Sequence, residues 1–144
     1  GGAGTLTTPQ YTYTGAWRND AMHGVGRMQW THEWYEGVFV KGVREGRGVM
    51  RFANGDRYEG AFVNNRRTGY GEQRSTHAYV RLYRGHWHKD QHQGKGVAMC
   101  ADGSAYDGHW NYGVYHGSGT LTLANGTVIV AKFVDGRIAN GKCT

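Results

Sequence analysis

Proline and cysteine are scarce in this chain, and its hydrophobic runs are short. A single proline among 144 residues excludes a collagen triple helix, which needs abundant proline beside its glycine. Two cysteines, Cys100 and Cys143, are too few for a disulfide framework and predict a reduced, cytoplasmic setting. No apolar run reaches the length of about 18 residues that a membrane helix needs, so the sequence predicts no transmembrane helix.

The first residues have neither an initiator methionine nor the pattern of a signal peptide. The chain opens Gly1-Gly2-Ala3-Gly4, and we therefore expect it to be a piece of a longer protein. Residues 1–10 are predicted to be a flexible N-terminal segment, because the first organised pattern begins after them.

Glycine and the aromatic residues are the abundant types. The 25 glycines exceed twice the usual share of about 7%. A flexible glycine linker would lack the 5 Trp and 10 Tyr, and a hydrophobic content of 38% argues against disorder. With so little proline, this composition indicates many tight turns between short strands in a single domain.

A five-residue pattern, Tyr-x-Gly-x-(Trp/Phe), occurs five times and organises the whole chain. The copies begin at Tyr13, Tyr35, Tyr58, Tyr83 and Tyr106, and a degraded sixth copy begins near Ile129. A Gly-x-Gly follows seven residues after the Trp or Phe of each of the five full copies. Successive copies are separated by 22, 23, 25, 23 and 23 residues, which is the signature of a repeat protein.

Each copy predicts one β-hairpin. Alternate residues of a strand share a face, so the Tyr, Gly and Trp/Phe of the pattern lie on the same side. Turns such as Asn64-Asn65 and connections such as Asn54-Gly55 tolerate the positive φ of tight hairpins. The predicted fold is all-β: an elongated, curved, single-layer antiparallel meander of about 12 strands. Its strand glycines, including both members of each Gly-x-Gly, are expected to leave slots over which rings lie.

The same motifs resemble the MORN (membrane occupation and recognition nexus) repeat. Tyr58-Glu59-Gly60-Ala61-Phe62 matches its first strand, and His116-Gly117-Ser118-Gly119 matches its His-Gly-x-Gly. The resemblance runs from about Tyr11 to Lys142, which predicts a MORN-repeat domain over 11–144. It implies a non-catalytic scaffold at the cytoskeleton or membrane, which binds protein segments along a groove or, as attributed to some members, phosphoinositides.

Three stretches depart from the MORN pattern. The first connection, 31–34, lacks the Asn-Gly, and an insertion lies between Arg74 and Tyr79. The sixth copy keeps little of the motif and is predicted to be a terminal cap or the start of divergent sequence.

The aromatic stripe is the first candidate for a binding site. A single layer has no second layer to cover its rings, and contiguous exposed apolar surface marks a site of interaction. We expect an extended or helical partner segment to lie along a groove formed by Tyr13, Trp17, Tyr35, Phe39, Tyr58, Phe62, Tyr83, Trp87, Tyr106 and Trp110. Self-association through the open sheet edges is the other protein contact expected.

The basic middle of the chain favours a different partner. Residues 41–95 hold twelve basic and five acidic residues, within a total net charge of +6. Such a patch could meet anionic phospholipid headgroups. The candidate residues are Lys41, Arg44, Arg66, Arg67 and Lys89. Nucleic acid is not expected, because the basic side chains and the rings are predicted to lie on opposite faces.

Catalysis, cofactors and metals find little support in the sequence. No Ser, Cys or Asp lies in an activating motif, so we expect neither an enzyme nor a small-molecule substrate. His86 and His109 hold equivalent positions roughly 9.6 Å apart, too far to share an ion directly. His88 and His92 are the pair close enough for a surface metal site, and no cofactor is expected.

The sequence thus predicts a scaffold that binds a protein segment along an aromatic groove. Two alternatives remain open: an anionic phospholipid reader, and a regulatory or targeting module of a larger enzyme. The location predicted is cytoplasmic, associated with the cytoskeleton or with the membrane periphery.

Overall fold

The computed structural model describes residues 2–138, which fold into one antiparallel sheet. The strands are β1 (Gly2–Thr7), β2 (Thr12–Arg18), β3 (Ala21–Gln29), β4 (Trp34–Val40), β5 (Val43–Arg51), β6 (Arg57–Val63), β7 (Arg66–Arg74), β8 (Val80–His88), β9 (Gln91–Cys100), β10 (Ala105–Asn111), β11 (Val114–Thr122), β12 (Val128–Val134) and β13 (Arg137–Ile138). Each strand pairs with its neighbours in sequence, so the prediction of an all-β meander is confirmed. Within these residues no helix is long and apolar enough to cross a membrane.

Strand β1 was not predicted, and the expectation of a flexible segment over 1–10 is wrong for residues 2–7. This strand pairs along its whole length with β2, and Gly4 lies opposite Gly15. A Cβ placed at Gly4 would lie 3.5 Å from the Nε1 atom of Trp17, which is an ordinary contact. The first repeat therefore gains a strand that covers its otherwise open edge, and the sheet has thirteen strands rather than about twelve.

Two-residue turns join the strands of each hairpin along one long edge of the sheet, which we call the turn edge. Both central residues have positive φ, as type I′ turns require. These pairs are Asn19-Asp20, Lys41-Gly42, Asn64-Asn65, Lys89-Asp90, Tyr112-Gly113 and Asp135-Gly136. The longer connections between hairpins lie on the opposite edge, which we call the connection edge.

The two glycines of each Gly-x-Gly have different roles, which corrects the expectation that both hold rings. The second one does: a Cβ at Gly71 would overlap the Tyr58 ring, which lies flat on the backbone there. The first one lies in a β-bulge, where the pairing shifts between Gly60 and Phe62. Gly69 has φ +62° in that bulge, a conformation that favours glycine.

The rings form one continuous row along the sheet, which we call the ring ladder. Each leading Tyr meets the Trp or Phe of its own repeat and that of the next repeat edge to face. Centroids are 5.1 to 5.4 Å apart and ring planes cross at 81° to 89°. In order the row is Trp17, Tyr13, Phe39, Tyr35, Phe62, Tyr58, Trp87, Tyr83, Trp110, Tyr106 and Phe133.

Replacing a ring-slot glycine should destabilise the protein far more than replacing a strand glycine whose added Cβ would make only ordinary contacts. We expect Gly71→Ala to lower the free energy of unfolding by about 3 kcal/mol, because its methyl group displaces the Tyr58 ring. Gly4→Ala is the control, since its Cβ would make ordinary contacts, and should stay within about 0.5 kcal/mol of the parent. Urea unfolding followed by tryptophan fluorescence measures the unfolding free energy of both variants. Equal losses of stability would contradict the role of Gly71 as a slot for the Tyr58 ring.

Candidate functional site on the ring-bearing face

Nine of the ten rings predicted to line a groove are buried. The five leading tyrosines are at most 1% exposed, the two phenylalanines at most 2%, and Trp87 and Trp110 at most 4%. Only Trp17 is half-buried. The expectation of an open aromatic stripe is therefore wrong for these nine rings, because each is enclosed by its neighbours in the ladder and by side chains above it.

The tyrosine hydroxyls explain why tyrosine rather than phenylalanine leads each repeat. Each hydroxyl donates to the backbone carbonyl three residues further on, at 2.7 to 3.0 Å. The acceptors are the carbonyl oxygens of Ala16, Val38, Ala61, His86 and His109. The bulge opposite leaves these carbonyls outside the ladder of sheet hydrogen bonds, and the hydroxyl satisfies them.

Five side chains whose covering role was not predicted from the sequence lie over the leading tyrosines. They occupy the position two residues before each Gly-x-Gly, opposite the Trp or Phe of the same repeat. We call them the cover residues: Met22, Arg44, Arg67, His92 and Tyr115. His92 stacks on Tyr83 at 3.7 Å between centroids, and Tyr115 stacks on Tyr106 at 3.9 Å. Their place in the repeat is constant while their residue type is not, so no sequence pattern marked them.

Arg44 and Arg67 are cover residues rather than free basic side chains. The Arg67 guanidinium lies 4.5 Å from the Trp87 ring centroid, and its Nε donates to Asp90 Oδ1 at 3.0 Å. Arg44 makes the equivalent hydrogen bond one hairpin earlier, where its Nε donates to Oδ1 of the turn residue Asn65 at 3.2 Å. Both arginines thus hold the turn of the next repeat in place through hydrogen bonds. Burial lowers the pKa of Arg44.

The other three residues of the predicted lipid patch lie where a surface could reach them. Lys41 and Lys89 are the first residues of their turns, and Arg66 follows its turn directly. All three are exposed and lie on the turn edge of neighbouring repeats. The structure therefore separates the five basic candidates into two half-buried arginines that pack on the rings and three exposed side chains on the turn edge.

His92 lies among rings and not in a cluster of metal ligands. Burial, and then the charge of Arg67, lower its pKa to about 4. Its Nδ1 atom is buried without a hydrogen-bond partner. His88 lies on the opposite face of the sheet and is exposed, so the two do not converge. Among residues 2–138, no group of three or more His, Cys, Asp or Glu side chains could hold a metal ion.

The accessible part of the ring-bearing face consists of half-buried apolar side chains between the ladder and the connection edge. Trp30, Phe52 and Leu123 pack against the core and keep part of their surface in solvent. Beside them a cavity of about 360 Å³ lies over β10 and β11. These residues and the cover residues, not the buried rings, are what a partner on this face would touch.

Comparison with known families assigns the repeats. The model of the MORN repeat matches residues 13–31, 35–57, 58–76, 83–105 and 106–128, which is most of the chain. The chain therefore belongs to the MORN repeat family, as its motifs predicted. Members of this family generally serve as non-catalytic repeat modules with a binding or scaffold role. A search of curated proteins gives no match to this chain.

The depressed pKa of His92 should make stability depend on pH. In the unfolded chain His92 takes up a proton near pH 6.5, but in the folded protein only near pH 4. Stability is therefore complete above pH 6.5 and falls as the pH drops toward 4, by up to about 3 kcal/mol. His92→Tyr introduces the residue found at the same position in the next repeat, Tyr115, and should abolish most of this dependence of the unfolding free energy on pH. The measurement is urea unfolding at several pH values. His88→Tyr is the control, and its unfolding free energy should depend on pH as that of the parent does.

Neighbouring arginines provide a matched test of the cover residues. Arg67→Ala loses the contact with Trp87 and the bonds to the Asp90 turn, and we expect a loss of about 2 kcal/mol in unfolding free energy. Arg66→Ala, an exposed residue, should stay within about 0.5 kcal/mol. Similar losses in both variants would contradict the structural role given to Arg67.

Proposed function

We propose that this chain is a non-catalytic scaffold that holds a segment of a partner protein against its ring-bearing face. One observation carries the proposal: among residues 2–138 no second layer covers this face, and half-buried apolar side chains follow it from Tyr11 to Leu123. Contiguous apolar surface of this kind is typical of interaction sites. The general binding role of MORN repeats supports the same function.

The contact surface proposed here differs from the buried rings. Phe52 and Leu123 offer apolar area, while Arg44 and Arg67 add planar cationic groups at the centre of the same face. Arginine and aromatic residues are enriched among the residues that carry most binding energy. The ring ladder beneath them is a rigid support, so little side-chain entropy is lost on binding.

A selection of random peptides tests this function without a known partner. Phage-displayed peptides of about 16 residues, long enough to cross several strands of ~4.8 Å spacing, are selected on the immobilised chain. We expect Phe52→Ser and Leu123→Ser each to weaken binding of the selected peptides by about tenfold, since each removes roughly 1–2 kcal/mol of apolar contact. Val25→Ser and Val130→Ser are matched controls on the outer face, where the valines are 69% and 78% exposed. Peptides that respond only to the outer-face variants would contradict the proposed face.

Contact with an anionic membrane is the second candidate, and one observation favours it. Lys41, Arg66 and Lys89 are exposed side by side on the turn edge. Each basic residue near an anionic surface contributes ~1 kcal/mol of favourable binding free energy. Such contact would place the scaffold at the membrane periphery, whereas capture of a filament-associated segment would place it at the cytoskeleton.

Liposome pelleting distinguishes the membrane contact from peptide capture. A variant combining Lys41→Glu, Arg66→Glu and Lys89→Glu should abolish pelleting with phosphatidylserine vesicles at low salt and leave peptide capture unchanged. Arg67 is not substituted in this variant, because its loss would remove the hydrogen bonds that stabilise the turn at Asp90. If the parent chain does not pellet, or the triple variant pellets equally, membrane contact through this edge is wrong.

A further inference from the structure

The insertion in the third repeat builds one wall of the cavity over β10 and β11. It docks on the following connection, where the Ala101 amide donates to the Tyr79 carbonyl at 2.7 Å. The Tyr79 hydroxyl donates to Asp102 Oδ2 at 2.9 Å. Tyr79 of the insertion lines the cavity, so the cavity depends on this chain's departure from the repeat pattern.

The cavity is an apolar trough that ends at a carboxylate. Trp110, Tyr115, Leu121 and Leu123 line it, and Asp102 with Ser104 stands at its connection-edge end. Tyr115 is stacked on Tyr106, which fixes its ring as a flat wall of the trough. The volume of about 360 Å³ is ample for a long side chain.

The charge of Asp102 is not needed for the turn that it forms. Its Oδ1 accepts the Ser104 amide at 2.9 Å, an interaction that closes the connection. At the same position in two other connections, Asn54 and Asn125 accept the equivalent amide at 2.9 Å with a neutral side chain. The carboxylate therefore adds a negative charge that the local fold does not require.

That carboxylate is ionised and exposed to solvent. Hydrogen bonds from Ser104 and Tyr79 lower the pKa of Asp102, so the group is ionised at neutral pH. Among the described residues no Lys, Arg or His lies within 4.0 Å of its oxygens. An ionised carboxylate beside an apolar and aromatic wall suits a cation carried on an apolar stem.

We propose that this trough receives a lysine or arginine side chain of the bound partner segment, with the stem against Tyr115 and Leu123 and the cation on Asp102. The proposal rests on the scaffold function given above and adds the chemistry of one partner residue.

A small probe tests the trough by itself. Nα-acetyl-arginine amide is titrated into the ¹⁵N-labelled chain, and the uncharged isostere Nα-acetyl-citrulline amide serves as its match. We expect millimolar binding that shifts the amide signals of Ser104 and Tyr115, and about tenfold weaker binding by citrulline and by the Asp102→Asn protein. Asn54 and Asn125 show that asparagine closes this turn. Tyr79→Phe, which loses the hydroxyl bond to Asp102 but keeps the carboxylate, is the control for the wall and should bind the arginine probe as the parent does. Equal binding of both probes, equal binding by the Asp102→Asn variant, or shifts confined to other repeats would overturn the proposal.

Peptide selection then separates this inference from the scaffold function. Random peptides selected on the parent should be enriched in one Lys or Arg, and this enrichment should disappear when selection is repeated on Asp102→Asn. If peptides bind the ring-bearing face without a basic residue, the trough proposal fails and the scaffold function stands. If no peptide binds that face, both fail. Binding of the free amine agmatine as tight as that of selected peptides would assign the trough to small cations instead.

Discussion

A tyrosine ring lying flat on two paired glycines is the contact on which the rest of this structure depends. Tyr58 illustrates it, with Gly60 and Gly71 opposite each other beneath the ring and its hydroxyl bonded to a bulge carbonyl. The glycines allow the ring to approach the backbone, and the approach lets successive rings meet edge to face. A single layer thereby acquires a continuous core although nothing packs on it from above.

The same contact explains how much could be predicted. Period and spacing of the tyrosine motif predicted the hairpins, the meander and the face of the rings, because these follow from the backbone alone. Burial could not be predicted, since it depends on cover residues as different as Met22, Arg44 and Tyr115. The bulge at Gly69 was missed for a related reason: a two-residue alternation gives no sign of where the pairing shifts. The sequence also could not distinguish Arg44 and Arg67, which pack on the rings, from the exposed basic residues, because this distinction depends on their neighbours in space.

Removing the rings from the contact surface changes what the protein offers to a partner. A row of identical aromatic rings would present the same chemistry in every repeat, whereas the cover residues vary from methionine to arginine to tyrosine. The face therefore has a cationic centre and an apolar, acidic end. Such a gradient would give the proposed partner segment a preferred direction, which a uniform stripe would not.

The two long edges of the sheet differ in how much chain they can accommodate. Every turn has two residues, and in each turn after the first the amide of the second residue donates to a carbonyl of the preceding repeat, such as Asp90 to Arg67. An added residue there would break contact between repeats. The connections vary in length, and the longest repeat has its extra residues between Arg74 and Tyr79. New loops, whether from evolution or from engineering, therefore have one edge on which to grow, and that edge borders the face that we propose as the contact surface for a partner.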